Sequence, residues 1–304
     1  MILEIKNINK SFSGKQVLHD ISFTVTSGKA MGFLGRNGAG KTTTIRALMD
    51  VFEPDSGEFL LDGVKFDPST SRVGYLPEER GLYGKEKILP QLIYFATLRG
   101  ATPAQAKVSA EALLERFGLG AVKNQKLETL SKGNQQKVQI AQALLNDPDI
   151  IILDEPFSGL DPVNSIVLEE VIKESIEKGK LVIFSSHQMG YVEAFCDEIT
   201  LIDQGRFILS GNLKEIKTKM GNSRVKVTAA TEDPSLLLQS LSEKISDIAI
   251  EQRDNALIIE LLNHKTKSDF VLECLQKGIE LESYGPYEPS LQDIFLKMVG
   301  QDNA

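Results

Sequence analysis

The segment Gly35-Arg36-Asn37-Gly38-Ala39-Gly40-Lys41-Thr42 constrains this chain more than any other. It fits the pattern G-x-x-x-x-G-K-S/T, in which glycines let backbone N–H groups turn inward around phosphate oxygens. Its flanks argue against an accidental match. An apolar run, Ala30 to Leu34, precedes it and reads as a buried strand. A helical stretch from Lys41 to about Phe52 follows, with Ile45, Leu48 and Met49 on one face. A loop so placed delivers phosphate to a helix N-terminus, where free N–H groups favour an anion. Lys41 can reach β- and γ-phosphates, and the Thr42 hydroxyl, with Thr43 beside it, is placed for Mg2+. A nucleoside triphosphate, ATP or GTP, is the expected ligand.

Ile150-Ile151-Ile152-Leu153-Asp154-Glu155 supplies the other half of such a site. A buried strand ending in two carboxylates lets Asp154 hold Mg2+ while Glu155 polarises the attacking water. His187 follows another buried-looking strand, Leu181 to Phe184, and Ser185-Ser186. Alone it would read as a structural histidine; beside these motifs it falls where a γ-phosphate contact is wanted. His19 and His264 lack supporting neighbours.

Buried strands alternating with helices mark an α/β core. Residues 1 to about 218 make one such domain, β-rich at the start and with a helical insert at about 85–145. The pattern then changes. Arg224 to Thr228, Ile245 to Ile250, Ala256 to Leu262 and Ile279 to Tyr284 read as strands. Pro234 to about Lys244 and Ser268 to Gly278 read as helices, with stripes Leu236, Leu237, Leu241 and Phe270, Val271, Cys274, Leu275. That order is the split βαβ of a ferredoxin-like sandwich over 224–304. A last helix, Ser290 to Val299, is left over and is expected to pack on a neighbouring surface. The charged clusters of this region, Glu232-Asp233 among them, are expected at solvated turns.

A chain of 304 residues has room for two domains. Its 34 basic and 42 acidic residues leave a net charge of −8, which weakens any function built on gripping nucleic-acid phosphates. Two cysteines, Cys196 and Cys274, make no disulfide framework, so a reducing compartment is expected. No basic segment followed by an apolar run opens the chain, so no secretory leader is expected. The longest uncharged apolar stretch, Ile88 to Leu98, falls far short of the ~20 residues of a membrane span. If the chain serves a membrane, a partner supplies it.

Further motifs make a family resemblance specific. Leu130-Ser131-Lys132-Gly133-Asn134-Gln135-Gln136 resembles the signature loop of ABC ATPases, and Ser158-Gly159-Leu160-Asp161 follows Asp154-Glu155-Pro156 directly. With His187 after them, the order is similar to an ABC nucleotide-binding domain over about 1–218. The implied fold is a P-loop NTPase core of ABC type with an antiparallel β subdomain and a helical subdomain, plus the small α+β C-terminal domain. The resemblance implies that Phe12 stacks on adenine. Ser131, Lys132, Gly133 and Asn134 would cap the γ-phosphate of ATP held by the other protomer, and Asp161 would couple the two sites. Tyr75-Leu76-Pro77-Glu78 occupies the usual glutamine-loop position, with Glu78 adding a charge at the metal. The signature departs from the family in Lys132 and Asn134. Glu79-Arg80-Gly81-Leu82-Tyr83 and the ending Glu288 to Leu296 are similar to export ATPases of the sodium-exporter type.

The resemblance implies an ATP-hydrolysing transporter subunit, dimeric or paired with a related ATPase, on the cytoplasmic face of the membrane beneath a separate polytopic permease. A soluble ABC-type ATPase acting on nucleic acid or ribosomes is the competing class. It fits less well, since the helical insert is too short for a coiled coil and the chain has one nucleotide motif set. No nucleic-acid partner is expected.

Overall fold

Strands β1 (Ile2–Phe12) and β2 (Lys15–Thr26) form an antiparallel hairpin closed by Ser13 and Gly14, both at positive φ (50° and 81°). Such a two-residue turn matches the right-handed twist of the strands. β3 (Ala30–Leu34) leads through the glycine loop into α1 (Lys41–Leu48). β4 (Ser56–Leu61) pairs with β1 and turns through Asp62-Gly63 into β5 (Val64–Lys65). After β6 (Val73–Leu76) come the helices of the insert, α2 (Ile88–Leu98), α3 (Pro103–Arg116) and α4 (Lys132–Ala143). Thr102 and Gln105 make a reciprocal capping box at the start of α3, with Pro103 in the first turn, where its missing N–H costs nothing. Ala106, Ala110 and Leu114, spaced by four, form the buried stripe of α3.

β7 (Ile150–Asp154), α5 (Pro162–Glu177), β8 (Leu181–Ser186), α6 (Met189–Phe195), β9 (Glu198–Asp203) and β10 (Arg206–Asn212) complete this unit, which spans Met1–Leu213. The strand order is β5-β4-β1-β2-β10-β9-β3-β8-β7-β6. The first four strands are antiparallel; β9, β3, β8, β7 and β6 run parallel. β7 and β8 are buried along their whole length. Hence they read as unbroken apolar runs, each Ile or Leu contributing about 1.5–3 kcal/mol through burial. β6, β9, β10 and α6 carry no signal strong enough to be read from the sequence.

The second unit, Lys214–Ala304, is built on a four-stranded antiparallel sheet. After α7 (Leu213–Gly221) come β11 (Arg224–Thr228), α8 (Ser235–Lys244), β12 (Ile248–Arg253), β13 (Ala256–Leu261), α9 (Lys267–Gln276), β14 (Ser283–Pro286) and α10 (Leu291–Gly300). The order β12-β13-β11-β14 is that of the ferredoxin-like sandwich. Val225, Val227, Leu257 and Ile259 meet Leu237, Leu241, Phe270 and Cys274 in its core.

Two strands begin later than the sequence suggests. Ile245 is the C-cap of α8, and its burial there explains an apolar residue ahead of β12. Ile279 closes α9: Gly278 sits at φ +63°, its N–H donates to Leu275 O, and the Ile279 N–H donates to Cys274 O at 2.9 Å. This is a Schellman cap, whose apolar residue has the same local pattern as the start of a strand. Leu236 and Leu275 are 65% and 70% exposed and do not join the stripes expected of them. Each lies one residue, and so about 100° around the helix, from a pair spaced by four that takes the core face. α10 is not simply left over either. Asp293 accepts from Arg253 Nη1 at 2.6 Å and from the Tyr287 hydroxyl at 2.9 Å, tying the helix to its own domain. Cys196 and Cys274 are both free and buried.

The structure describes residues 1–79, 81–229 and 234–300. Arg80 of the Glu79–Tyr83 segment and the Glu232-Asp233 pair lie outside them. Among the described residues, no helix is long and apolar enough to cross a membrane.

Candidate nucleotide site

Four strands adjacent in the sheet, β3, β8, β7 and β6, end on one edge and carry most of the expected residues. The glycine loop follows β3, His187 follows β8, Asp154-Glu155 ends β7, and Glu78 lies two residues past β6. The carboxyl edge of a parallel sheet is where α/β folds bind ligands.

The loop needs its glycines for two different reasons. Gly38 and Gly40 adopt positive φ (80° and 106°), which costs a side-chain-bearing residue energy. At Gly35 a Cβ would lie 2.5 Å from the Ile202 carbonyl oxygen. Arg36, Asn37 and Gly38 are exposed at the loop tip, and Ala39 is buried beneath. Lys41 is buried: its Nζ donates to Gly35 O at 2.8 Å and Arg36 O at 3.3 Å, and lies 3.6 Å from Glu155 Oε1. The Thr42 hydroxyl donates to Glu78 Oε2 at 3.2 Å, and Thr43 is half-buried in the same turn.

Asp154 is fully buried. The Ser185 hydroxyl donates to its Oδ1 and accepts the Glu155 N–H at 3.1 Å, while Oδ2 has no partner. Burial pushes the Asp154 carboxyl above its ordinary value, and the hydrogen bond from Ser185 pulls it back. Burial, with the Asp154 charge nearby, also pushes the Tyr75 phenol up to about 12. Glu155 is buried and adopts φ 51°, a conformation that costs a non-glycine residue about 1–3 kcal/mol and is typical of functional sites. His187 Nδ1 lies 2.9 Å from Glu155 Oε1, at ion-pair distance but without hydrogen-bond alignment.

The donor set suits Mg2+: an orphaned buried carboxylate oxygen, a hydroxyl and the Glu78 carboxylate are all hard oxygens. Among the described residues no three His, Cys, Asp or Glu side chains gather as a metal cluster. That is compatible with Mg2+, which takes one or two carboxylates and completes its shell with phosphate and water.

The signature residues stand elsewhere on the same unit. Ser131 is the exposed N-cap of α4, and its hydroxyl accepts the Asn134 N–H at 3.3 Å. Lys132 is exposed and Gly133 half-buried, with the Gly159 carbonyl oxygen 3.1 Å from where a Cβ would be. Gln136 donates to Pro156 O at 3.3 Å, so α4 rests on the segment after Glu155. Asp161 caps α5 through the Asn164 N–H at 2.9 Å. Phe12 ends β1 beside Phe52. The hydrogen bonds of Ser131 stay within α4 and do not reach the phosphate loop of its own chain.

Comparison with known proteins identifies the family. Residues 18–158 match the ABC transporter family model, and 211–299 match that of the ATP-binding protein DrrA1-3-like C-terminal domain. The ABC transporter ATP-binding protein YhaQ of Bacillus subtilis, described as uncharacterized, is 36% identical over 98% of this chain and 99% of its own length. The chain belongs to the ABC transporter ATP-binding proteins. Nod factor export ATP-binding protein I of Burkholderia lata is 30% identical over 99% of the chain and 96% of that protein. A solved ATP-binding subunit of an ABC transporter superposes with a TM-score of 0.68 at 32% identity, covering 73% of this chain and 94% of that one.

Residues that the motifs do not name also order this ABC ATP-binding subunit. Ser185 bonds both Asp154, the last residue of β7, and Glu155 after it, and its only signal is a hydroxyl at the end of an apolar strand. Asn164 and the buried Lys137, bonded at 2.9 Å, gave none.

Proposed function

We propose that this subunit hydrolyses ATP as a homodimer, or paired with a related ATPase, and drives export through a separate polytopic membrane permease from the cytoplasmic face. The observation that carries the hydrolytic part is Glu155, buried, at positive φ, and flanked by Lys41 and His187. In this role Glu155 orients and polarises the attacking water, and His187 reaches the γ-phosphate side of it. Lys41 and the loop N–H groups hold the phosphates, while Thr42, Asp154 and Glu78 would hold Mg2+. When bound, Mg2+ neutralises charge on the β- and γ-phosphates. Ser131 and Gly133 would close the site of the partner protomer, and Asp161 would couple the two. The C-terminal domain would regulate the subunit or steady its dimer. Export finds support in the Nod factor export relative.

The test is Glu155→Gln. ATP binding should persist, because Lys41, Thr42 and the loop remain, while hydrolysis falls by at least ~10²-fold, the scale of losing a general base. Near-normal turnover would move the role to Glu78 or His187. Lys41→Ala, in contrast, should weaken binding itself.

A further inference from the structure

Phe12 does not stand alone at the end of β1. Lys10, two residues earlier and so on the same side of the strand, places its Nζ 5.5 Å from the centre of the Phe12 ring and 5.3 Å from that of Phe52. The rings meet edge to face, 5.2 Å apart at 87°, with the ammonium near both. Its position is fixed from outside the rings. Nζ donates to the Glu53 carbonyl at 2.6 Å and to Asp55 Oδ1 at 3.0 Å, and the Lys10 side chain is only 15% exposed. Asp55 in turn grips β1: its N–H donates to Asn9 O at 2.8 Å, and its Oδ2 accepts the Ser11 N–H at 2.6 Å. Phe52, Glu53 and Asp55 all follow α1, the helix that begins with Lys41. One cluster therefore joins the phosphate-loop helix to an aromatic ring that remains 43% exposed.

We propose that Lys10 is a positioning residue for nucleobase recognition, acting through Phe12. The ammonium fixes the ring and draws on its π-electrons, which favours stacking of an electron-rich purine on the surface left exposed. This rests on the adenine-stacking role that the family resemblance implies for Phe12. A lysine acting only as a positive charge would serve the phosphates instead, and the two roles separate experimentally.

Calorimetric titration of the full chain with MgATP and with magnesium tripolyphosphate, which has no base, is the test. Lys10→Met should weaken ATP binding about fivefold, the scale of a partly shielded cation–π contact, and leave tripolyphosphate binding unchanged. Lys10→Arg should recover most of the loss. In a Phe12→Ala background Lys10→Met should add nothing. Equal weakening for both ligands, or none for ATP, overturns the inference. If Phe12→Ala itself leaves ATP affinity unmoved, the stacking assignment fails and the role of Lys10 with it. Should Lys10→Met not fold, Phe52→Leu carries the same comparison: it removes the edge contact and keeps Lys10, and an effect shared by both ligands overturns the proposal.

Discussion

Asp161 and Lys137 face each other across the side-chain amide of Asn164, which accepts from Lys137 Nζ at 2.9 Å and donates to Asp161 Oδ2 at 2.6 Å. Lys137 is 7% exposed, and burial lowers its pKa while Asp161 counteracts that. The bridge joins α4, which Ser131 caps, to the N-terminus of α5. Asn164→Leu should therefore cost about 1–3 kcal/mol in urea unfolding, because it strands a buried cation. Adding Lys137→Met should cost less than the sum of the single changes, since the cation then goes with its acceptor. Strict additivity would show that the bridge carries no coupling.

Ser185 is the hinge pin of the two acids. Ser185→Ala leaves the Asp154 carboxylate with no hydrogen bond from β8, and should lower stability by about 1–3 kcal/mol. It should also raise the Mg2+ concentration needed for half-maximal hydrolysis, because Asp154 is no longer held in one orientation. An unchanged Mg2+ midpoint would remove Ser185 from the metal side of the site.

The separation of Ser131 from its own phosphate loop leads to a complementation test. A Lys41→Ala chain mixed with a Ser131→Arg chain should regain part of the activity that each lacks. In the mixed dimer one site is broken twice and the other is intact. Folded proteins that stay inactive in every mixture would contradict closure by the partner.

Acid sensitivity has a defined source in the second unit. Hydrogen bonds from Lys265 and Lys277 pull the Glu273 carboxyl from 4.5 down to about 2. A carboxylate depressed in the folded state stabilises above its unfolded pKa, and that stability is lost as pH falls through the folded value. Wild type should thus melt higher than Glu273→Gln at pH 7, and the gap should shrink as pH drops from about 4.5 toward 2. A gap that does not change with pH would show that the ion pairs contribute nothing through charge.

What could be read from the sequence follows from how each feature is encoded. The phosphate loop is contiguous, because consecutive N–H groups must surround one phosphate, so Gly35 to Thr42 announced themselves. β7 and β8 were visible because both their faces are buried. Ser185 with Asp154, and Asn164 with Lys137, lie 31 and 27 residues apart, and only the packing of separate elements brings them together. Ile245 and Ile279 misled in another way. Each is an apolar residue spent on ending a helix, and local pattern does not separate that use from the start of a strand.

The place of β8 between β3 and β7 sets a timetable for synthesis. β3 and β7 leave the ribosome first, yet neither can pair with the other, since the strand that belongs between them comes later. Both neighbours of β3, β8 and β9, lie far downstream. A nascent chain that stops short of Leu181 therefore carries three bare apolar edges, two on β3 and one on β7, the kind that recruit other chains. Emergence of residues 181–186 closes the β7 edge and one edge of β3, leaves the other for β9, and brings Lys41 and Glu155 within reach of each other.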